Sequence, residues 1–165
     1  MPALTVGKKA PDISLPLLGG GNFSLEDALK KGPVVLAFFK ISCPVCQFAF
    51  PYLQRLYEAF KETDFTIIGV SQNDEAATAQ FAREYGITFP IALDDQKKYP
   101  ASNAYGLTNV PTVFYVASDG SIKESSVGWS RDDIEAIARD ASEGTKVPAP
   151  ALFKPGEDVA AFRAG

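Results

Sequence analysis

A buried strand that leads almost directly into two closely spaced cysteines restricts the fold of this chain more than any other feature. Residues 33–39 (PVVLAFF) form a continuous apolar, β-forming run, which is typical of a strand covered on both faces of a sheet. Cys43 and Cys46 follow it, with Pro44 directly after the first cysteine. Because proline suits the first turn of a helix, the sequence predicts that a helix begins at the cysteines.

The segment after the cysteines predicts a parallel crossover. Apolar residues recur there at helical spacing through about Lys61: Phe48, Tyr52, Leu53, Leu56, Tyr57 and Phe60. Residues 65–71 (FTIIGVS) then form a second buried strand. Strand, helix and strand in this order indicate two parallel strands, with Cys43 near the helix N-cap.

The remaining elements are predicted from caps, turns and periodicity. Residues 11–18 and 22–24 flank three glycines, which indicates an N-terminal hairpin, and Ser24 can cap a short helix that ends at Gly32. Further elements are expected as follows: a helix over 74–85 stopped by Gly86, a short strand at 91–93, a weak helix over 96–105 interrupted by Pro100, a hairpin of 112–117 with 121–127, and a last helix from a Ser130 cap to about Ala141.

The size and composition predict one domain. At 165 residues, 46% hydrophobic and 22% charged, the chain is long enough to bury a core without disulfides. We expect a single domain over 1–165, with a core of about 5–141. Prolines at 148, 150 and 155 indicate an extended arm over 144–165, laid on the surface or mobile.

Charge and the first residues bear on partners and location. The net charge is −4 and basic residues cluster only in pairs, such as Lys8 with Lys9, so neither nucleic acid nor an anionic membrane is an expected partner. The first ten residues lack the basic and apolar regions of a secretory signal. We therefore expect a cytoplasmic location.

The absence of histidine excludes several kinds of metal site and catalytic site. A structural zinc site needs four cysteine or histidine ligands, and the chain has two cysteines and no histidine. Cys–His and Ser–His–Asp catalysis are excluded for the same reason. No metal and no cofactor are expected.

The cysteine spacing predicts thiol–disulfide exchange. A helix N-terminus favours a thiolate at Cys43, because unpaired amides and the helix dipole stabilise an anion there. Cys46 is close enough to attack a mixed disulfide formed on Cys43 and release the partner. The alternative is a pair of structural cysteines that behave as small hydrophobic side chains.

The chain resembles the redoxin branch of the thioredoxin-fold superfamily, which contains soluble thiol–disulfide oxidoreductases related to the AhpC/TSA peroxiredoxins. Three stretches carry the resemblance: residues 10–15 (APDISL), the run from Phe38 to Cys46 with Pro51 downstream, and residues 110–112 (VPT). It implies an α/β fold in which helices flank a central mixed β-sheet, with an N-terminal β-hairpin and an extra strand–helix insertion.

The resemblance also implies a substrate site. Pro111 would be cis and face the cysteine pair, while Val110 would offer backbone atoms to a substrate strand. Without the resemblance, Pro111 could have only a structural role, in ending the loop before a strand. Pro51 matches the proline that kinks the helix after the cysteines.

This chain departs from thioredoxin at two positions near the cysteines, which leaves open what accepts the proton of Cys46. Thioredoxin itself has tryptophan before the first cysteine and a buried aspartate six residues ahead of it, where this chain has Ser42 and Ala37. Lys40 could favour the Cys43 thiolate by its charge, or could be a solvated lysine at a strand end. The acidic residues that could accept the Cys46 proton are Glu58 and Glu84, whose positions the sequence does not fix.

Three functions remain open at this stage. The first is a dithiol–disulfide oxidoreductase that acts on disulfide-containing proteins, uses an unidentified thiol reductant and exists as a monomer or weak dimer. The second is a peroxiredoxin-like peroxidase, in which Cys46 would be the peroxidatic cysteine, but the arginine expected near it falls at about Pro111. The third is a non-catalytic redox sensor or binding module.

Overall fold

The strand before the cysteines, β3 (Val34–Phe39), is the middle strand of a five-stranded sheet, and all of its residues are buried. The structure, a computed structural model, describes residues 3–165. The other elements are, in chain order, β1 (Ser14–Pro16), β2 (Asn22–Ser24), α1 (Leu25–Leu29), α2 (Pro44–Phe60), β4 (Thr66–Ser71), α3 (Glu75–Tyr85), β5 (Ile91–Leu93), α4 (Pro100–Ala104), β6 (Thr112–Val116), β7 (Ile122–Val127), β8 (Trp129–Ser130), α5 (Arg131–Thr145) and β9 (Phe162–Arg163), with β3 falling between α1 and α2.

The central sheet has the order β5-β4-β3-β6-β7 and is mixed. Strand β3 pairs parallel with β4 and antiparallel with β6, so the predicted crossover through α2 is present. Strand β5 extends the parallel part beyond β4, and β7 closes the antiparallel part through a hairpin with β6. The α/β fold with a mixed sheet is therefore confirmed.

Alternate side chains of β3 reach two apolar layers. Val35, Ala37 and Phe39 lie in a cluster that is covered by α2, α3 and α5. Val34, Leu36 and Phe38 lie in a second cluster, which the N-terminal hairpin β1–β2, α1 and α4 cover. Because helices or hairpins cover both faces, the strand reads as a continuous apolar run rather than an alternating one.

The caps predicted at Ser24 and Ser130 are present, and Asp74, which was expected to be the first residue of its helix, is a third cap. The hydroxyl of Ser24 accepts from Asp27 N–H, the Asp74 carboxylate from Ala77 N–H, and the Ser130 hydroxyl from Asp133 N–H. Gly86 ends α3 in the left-handed conformation (φ 68°), where a residue with a Cβ would be strained. These local signals fix where the helices begin and end.

Three helix boundaries differ from the prediction. Helix α1, which was expected to end at Gly32, ends at Leu29. The weak helix expected over 96–105 is only Pro100–Ala104, because the preceding Tyr99 takes the left-handed conformation and Pro100 starts the helix. The last helix continues past Ala141 to Thr145, whose hydroxyl donates to the Ala141 carbonyl. The arm after the core therefore begins at about residue 147. No helix among residues 3–165 has the length and apolarity needed to cross a bilayer.

Candidate active site

Cys43 is the N-cap of α2, with extended backbone angles (φ −84°, ψ 115°). Its Sγ accepts a hydrogen bond from the Cys46 N–H at 3.2 Å, so an amide that has no helical partner points at the sulfur. Pro44 fills the first helical position, where a missing N–H costs nothing. The side chain is partly exposed. A partner can therefore reach the sulfur.

Cys46 lies one helical turn deeper and is fully buried. Its side chain belongs to the apolar cluster that contains Phe39 and Phe50. Burial, and then the hydrogen bond with the Cys43 side chain, raise the pKa of the Cys46 thiol well above its ordinary value of 9.0. Cys46 is therefore held as a neutral thiol while Cys43 faces solvent.

The loop before β6 lies directly beside the nucleophilic position. The Val110–Pro111 peptide bond is cis, the geometry that the resemblance implies. The Cys43 thiol donates to the Val110 carbonyl oxygen at 3.4 Å. The loop is held by the Thr112 hydroxyl, which donates to the Asn109 carbonyl at 2.8 Å. The structure thus brings Cys43, Cys46, Val110 and Pro111 together.

Lys40 stands at the mouth of the site. It is exposed, and it lines a cleft of about 340 Å³ together with Cys43, Gln72 and Val110. Its carbonyl oxygen accepts from the Cys43 N–H at 3.3 Å, which closes the turn between β3 and α2. The structure therefore places Lys40 on the wall of the cleft into which Cys43 opens.

Two polar side chains that the sequence did not single out hold the loop in front of α2. The Asn73 side-chain oxygen accepts from the Ile41 N–H at 2.9 Å. The Gln47 side-chain amide donates to the Ile41 carbonyl at 2.9 Å. Asn73 follows the carboxyl end of β4. Because residues that follow neighbouring parallel strands meet at one sheet edge, its place in the sequence could have indicated that it lies near the loop before α2.

Gln72 connects the cleft to a buried carboxylate. Its side-chain amide donates to the Ser102 hydroxyl at 2.9 Å, and that hydroxyl donates to Asp94 at 2.7 Å. Asp94 is 3% exposed and also accepts from the Ala101 and Ser102 amides at the start of α4. The buried carboxyl group is thus matched by hydrogen-bond donors, and Gln72 links it to the cleft.

Among the residues that the structure describes, no carboxylate takes the place of the aspartate that thioredoxin has near its second cysteine. Ala37 is fully buried in the same cluster as Cys46. Asp94 is the single buried carboxylate among residues 3–165, and it lies with α4 on the other layer of the sheet. Glu58 is exposed and bound to Lys61 near the end of α2, while Glu84 is exposed on α3.

The arm over residues 147–165 is packed against the protein rather than mobile on it. Its first part, residues 147–160, is called the arm anchor and buries Leu152 and Val159. The Arg55 guanidinium binds both carboxylate oxygens of Glu157 at 2.8 Å and lowers the pKa of that carboxyl to about 2. The Trp129 indole N–H donates to the Ala160 carbonyl at 2.7 Å.

The last residues of the arm, 161–165, are called the arm tip and reach the site itself. They begin with the short strand β9, which pairs antiparallel with β8. The Asn109 side-chain amide donates to the Gly165 carbonyl at 3.2 Å, and Gly165 lines the same cleft as Cys43. Proline content alone did not predict this path, because it depends on the aromatic residues of α2 and β8 that the arm covers.

Comparison with known proteins identifies the family. The model of the AhpC/TSA family matches residues 6–125. The chain is 34% identical over 135 residues to the thiol–disulfide oxidoreductase ResA of Geobacillus kaustophilus, covering 81% of this chain and 76% of that protein.

Solved structures share the fold. The thioredoxin domain of a thiol–disulfide oxidoreductase from Bacteroides vulgatus superposes with a TM-score of 0.74 at 27% identity and covers 83% of this chain and 97% of its own. A putative thiol:disulfide interchange protein from Chlorobium tepidum gives 0.73 at 26% identity, over 86% and 97% of the two chains. The sequence match and the fold agree with the geometry of the cysteine pair, and the chain belongs to the AhpC/TSA family, within the redoxin branch of the thioredoxin-fold superfamily.

Proposed function

We propose that this protein is a thiol–disulfide oxidoreductase that reduces disulfide bonds in proteins by exchange with Cys43 and Cys46. The observation that carries the proposal is the arrangement of the two sulfurs. Cys43 is partly exposed at a helix N-cap, and Cys46 contacts it from one turn deeper. The Cys43 sulfur can react with a substrate, and the Cys46 sulfur is close enough to resolve the mixed disulfide.

The exchange proceeds in two displacements. The Cys43 thiolate attacks one sulfur of the substrate disulfide, and the other substrate sulfur leaves as a thiolate and takes up a proton. Cys46 then loses its proton and attacks the Cys43 sulfur, which releases the second substrate thiolate and forms the Cys43–Cys46 disulfide. A thiol reductant returns two electrons and two protons to restore the dithiol.

The direction of the reaction depends on reduction potential, not on the motif. We place the protein in a reducing compartment, the cytoplasm, as a monomer or weak dimer. The support is that both cysteines lie in one pair, which leaves none for a structural disulfide. A fusion to a reporter enzyme, followed by cell fractionation, tests the location, and recovery of the reporter outside the cytoplasm would contradict it.

Insulin reduction tests the activity. Purified protein with dithiothreitol should precipitate the insulin B chain with many turnovers per molecule, and a redox sensor would give almost none. Redox titration against glutathione buffers tests the direction. A potential near about −270 mV, as in thioredoxin, supports a reductase, whereas one near about −120 mV indicates an oxidant and would contradict the proposal.

The position of Cys46 argues against the peroxidase alternative. Cys46, which would be the peroxidatic residue, is fully buried among aromatic side chains, where peroxide has no access. Arg55 is engaged by Glu157, and Arg163 lies over Phe48. Rapid loss of hydrogen peroxide that is abolished by Cys46→Ser but not by Cys43→Ser would favour the peroxidase over the oxidoreductase.

A further inference from the structure

The arm tip lies against the backbone that borders the nucleophile. Gly165 is so close to the Val110 carbonyl oxygen that any side chain at this position would collide with it. The same carbonyl oxygen is the one that the Cys43 thiol approaches at 3.4 Å. The tip therefore occupies the space beside the atom that neighbours the reactive sulfur.

The tip reaches Val110 by crossing Gly128. A Cβ at Gly128 would lie 2.6 Å from the Arg163 carbonyl oxygen, so the close approach requires glycine, which also has φ +80°. Gly128 itself is bound to the cis-proline loop, because its N–H donates to the Pro111 carbonyl at 2.8 Å. The Arg163 guanidinium lies 4.8 Å from the ring centre of Phe48, which belongs to the helix that begins at the cysteines.

This location is where an extended partner would have to lie. A protein segment that carries a disulfide to Cys43 passes the loop at Val110, because the Val110 carbonyl oxygen lies 3.4 Å from the Cys43 sulfur. Pro111 has no N–H, so backbone pairing at this edge would use the residues before it, and extended segments bind such edges through backbone hydrogen bonds. The tip is itself a short extended segment: β9 pairs with β8, and the Arg131 N–H donates to the Ala161 carbonyl at 2.9 Å.

The arm tip is also held much more weakly than the arm anchor. Every tip residue is exposed, with Phe162 at 61%, while the anchor buries Leu152 and Val159. Segments with few buried contacts open at low free energy, independently of the rest of the protein. The tip can therefore lift from Val110 while the anchor remains in place.

We propose that the arm tip, residues 161–165, occupies the place of a substrate backbone beside Val110 and thereby selects against extended protein segments until it lifts. The inference rests on the proposed reduction of protein disulfides and adds a specificity element to it. Small disulfides that need no backbone pairing reach Cys43 with the tip in place. Protein segments compete with the tip for the same edge.

The test compares the full chain with a chain that ends after Ala160, which keeps the anchor and its bond from Trp129. Each is assayed with insulin and with 5,5′-dithiobis(2-nitrobenzoate), a small disulfide. A tip that is seated for about nine-tenths of the time lowers apparent affinity about tenfold. We expect kcat/KM for insulin to rise about tenfold on truncation, and kcat/KM for the small disulfide to change less than about twofold.

Point variants keep the test valid if the shortened chain fails to fold. Arg163→Ala removes the contact with Phe48 and should raise insulin turnover in the same direction. Asp158→Ala is the control, because that side chain is exposed on the arm anchor, outside the tip, and should leave both activities unchanged.

The outcomes separate the two proposals. Equal or lower insulin turnover in both the shortened chain and Arg163→Ala, with the full chain active on insulin, would overturn the role of the tip alone. Failure of every chain to reduce insulin while the small disulfide is reduced would overturn the proposed protein substrate, and with it this inference.

Discussion

Two sulfurs one helical turn apart have opposite surroundings in this protein. Cys43 is partly exposed and receives a backbone N–H at the start of α2. Cys46 is fully buried, and its pKa is raised first by that burial. The residue type is the same, so the difference in expected chemistry comes from position: the N-cap opens to the cleft, and the next turn faces the apolar core.

Removal of either sulfur should have the largest effect on insulin reduction. We expect Cys43→Ser to lower insulin reduction by at least about a thousandfold, because the attacking atom is lost. Cys46→Ser should also stop repeated turnover but should leave the first attack intact. Circular dichroism of both variants controls for folding, and substantial turnover by Cys43→Ser would contradict the assignment.

Alkylation should reveal the contrast directly. With reduced protein at pH 7, iodoacetamide should modify Cys43 faster than N-acetylcysteine and at least about a hundredfold faster than Cys46, which reacts only when the fold opens. Peptide mapping by mass spectrometry measures both rates. Denaturation in urea provides the control, since it should make the two rates similar. Equal rates in the folded protein would show that the environments do not differ as described.

A carboxylate added to the apolar cluster that contains Cys46 should give the buried sulfur a base. Ala37→Asp puts that group into the same apolar cluster. Its cost is expected to be about 2 kcal/mol or more in the free energy of unfolding. It should accelerate resolution of the mixed disulfide at least about tenfold at pH 7. Rapid-quench kinetics measures this step, with Ala37→Asn as a control of similar shape and no base.

The raised pKa of Cys46 has a consequence for stability at alkaline pH. The folded protein keeps the Cys46 proton, whereas the unfolded chain releases it near its ordinary pKa of 9.0. This contribution to stability is fully present below pH 9 and is lost as the pH rises above it. At pH 10 the loss is about 1 kcal/mol.

Urea unfolding of wild type and Cys46→Ala between pH 8 and about 10 isolates this contribution. The window ends there because Tyr105 and Tyr115, whose pKa values are also raised by burial, contribute above their ordinary value of 10.0. The wild type should lose stability more steeply than the variant. Parallel curves would mean that the Cys46 thiol is not held neutral by the fold.

The sequence was sufficient for the features that short-range signals determine. The buried strand, the helix start at Pro44 and the Ser24 and Ser130 caps follow from neighbouring residues, and the structure has them. The site features that it did not predict depend on contacts between distant segments. Asn73 meets Ile41, and Gln72 meets Ser102, only after the strands have assembled. The arm likewise follows Trp129 and Phe48 rather than any local pattern.

The central claim is that Cys43 attacks and Cys46 resolves, and trapping tests it most directly. Cys46→Ser, incubated with oxidised insulin and no other thiol, should accumulate one covalent adduct per molecule, and mass mapping should place it on Cys43. An adduct that forms on Cys46 in Cys43→Ser, or the absence of any adduct on Cys43 in the fully folded Cys46→Ser protein, would contradict the account.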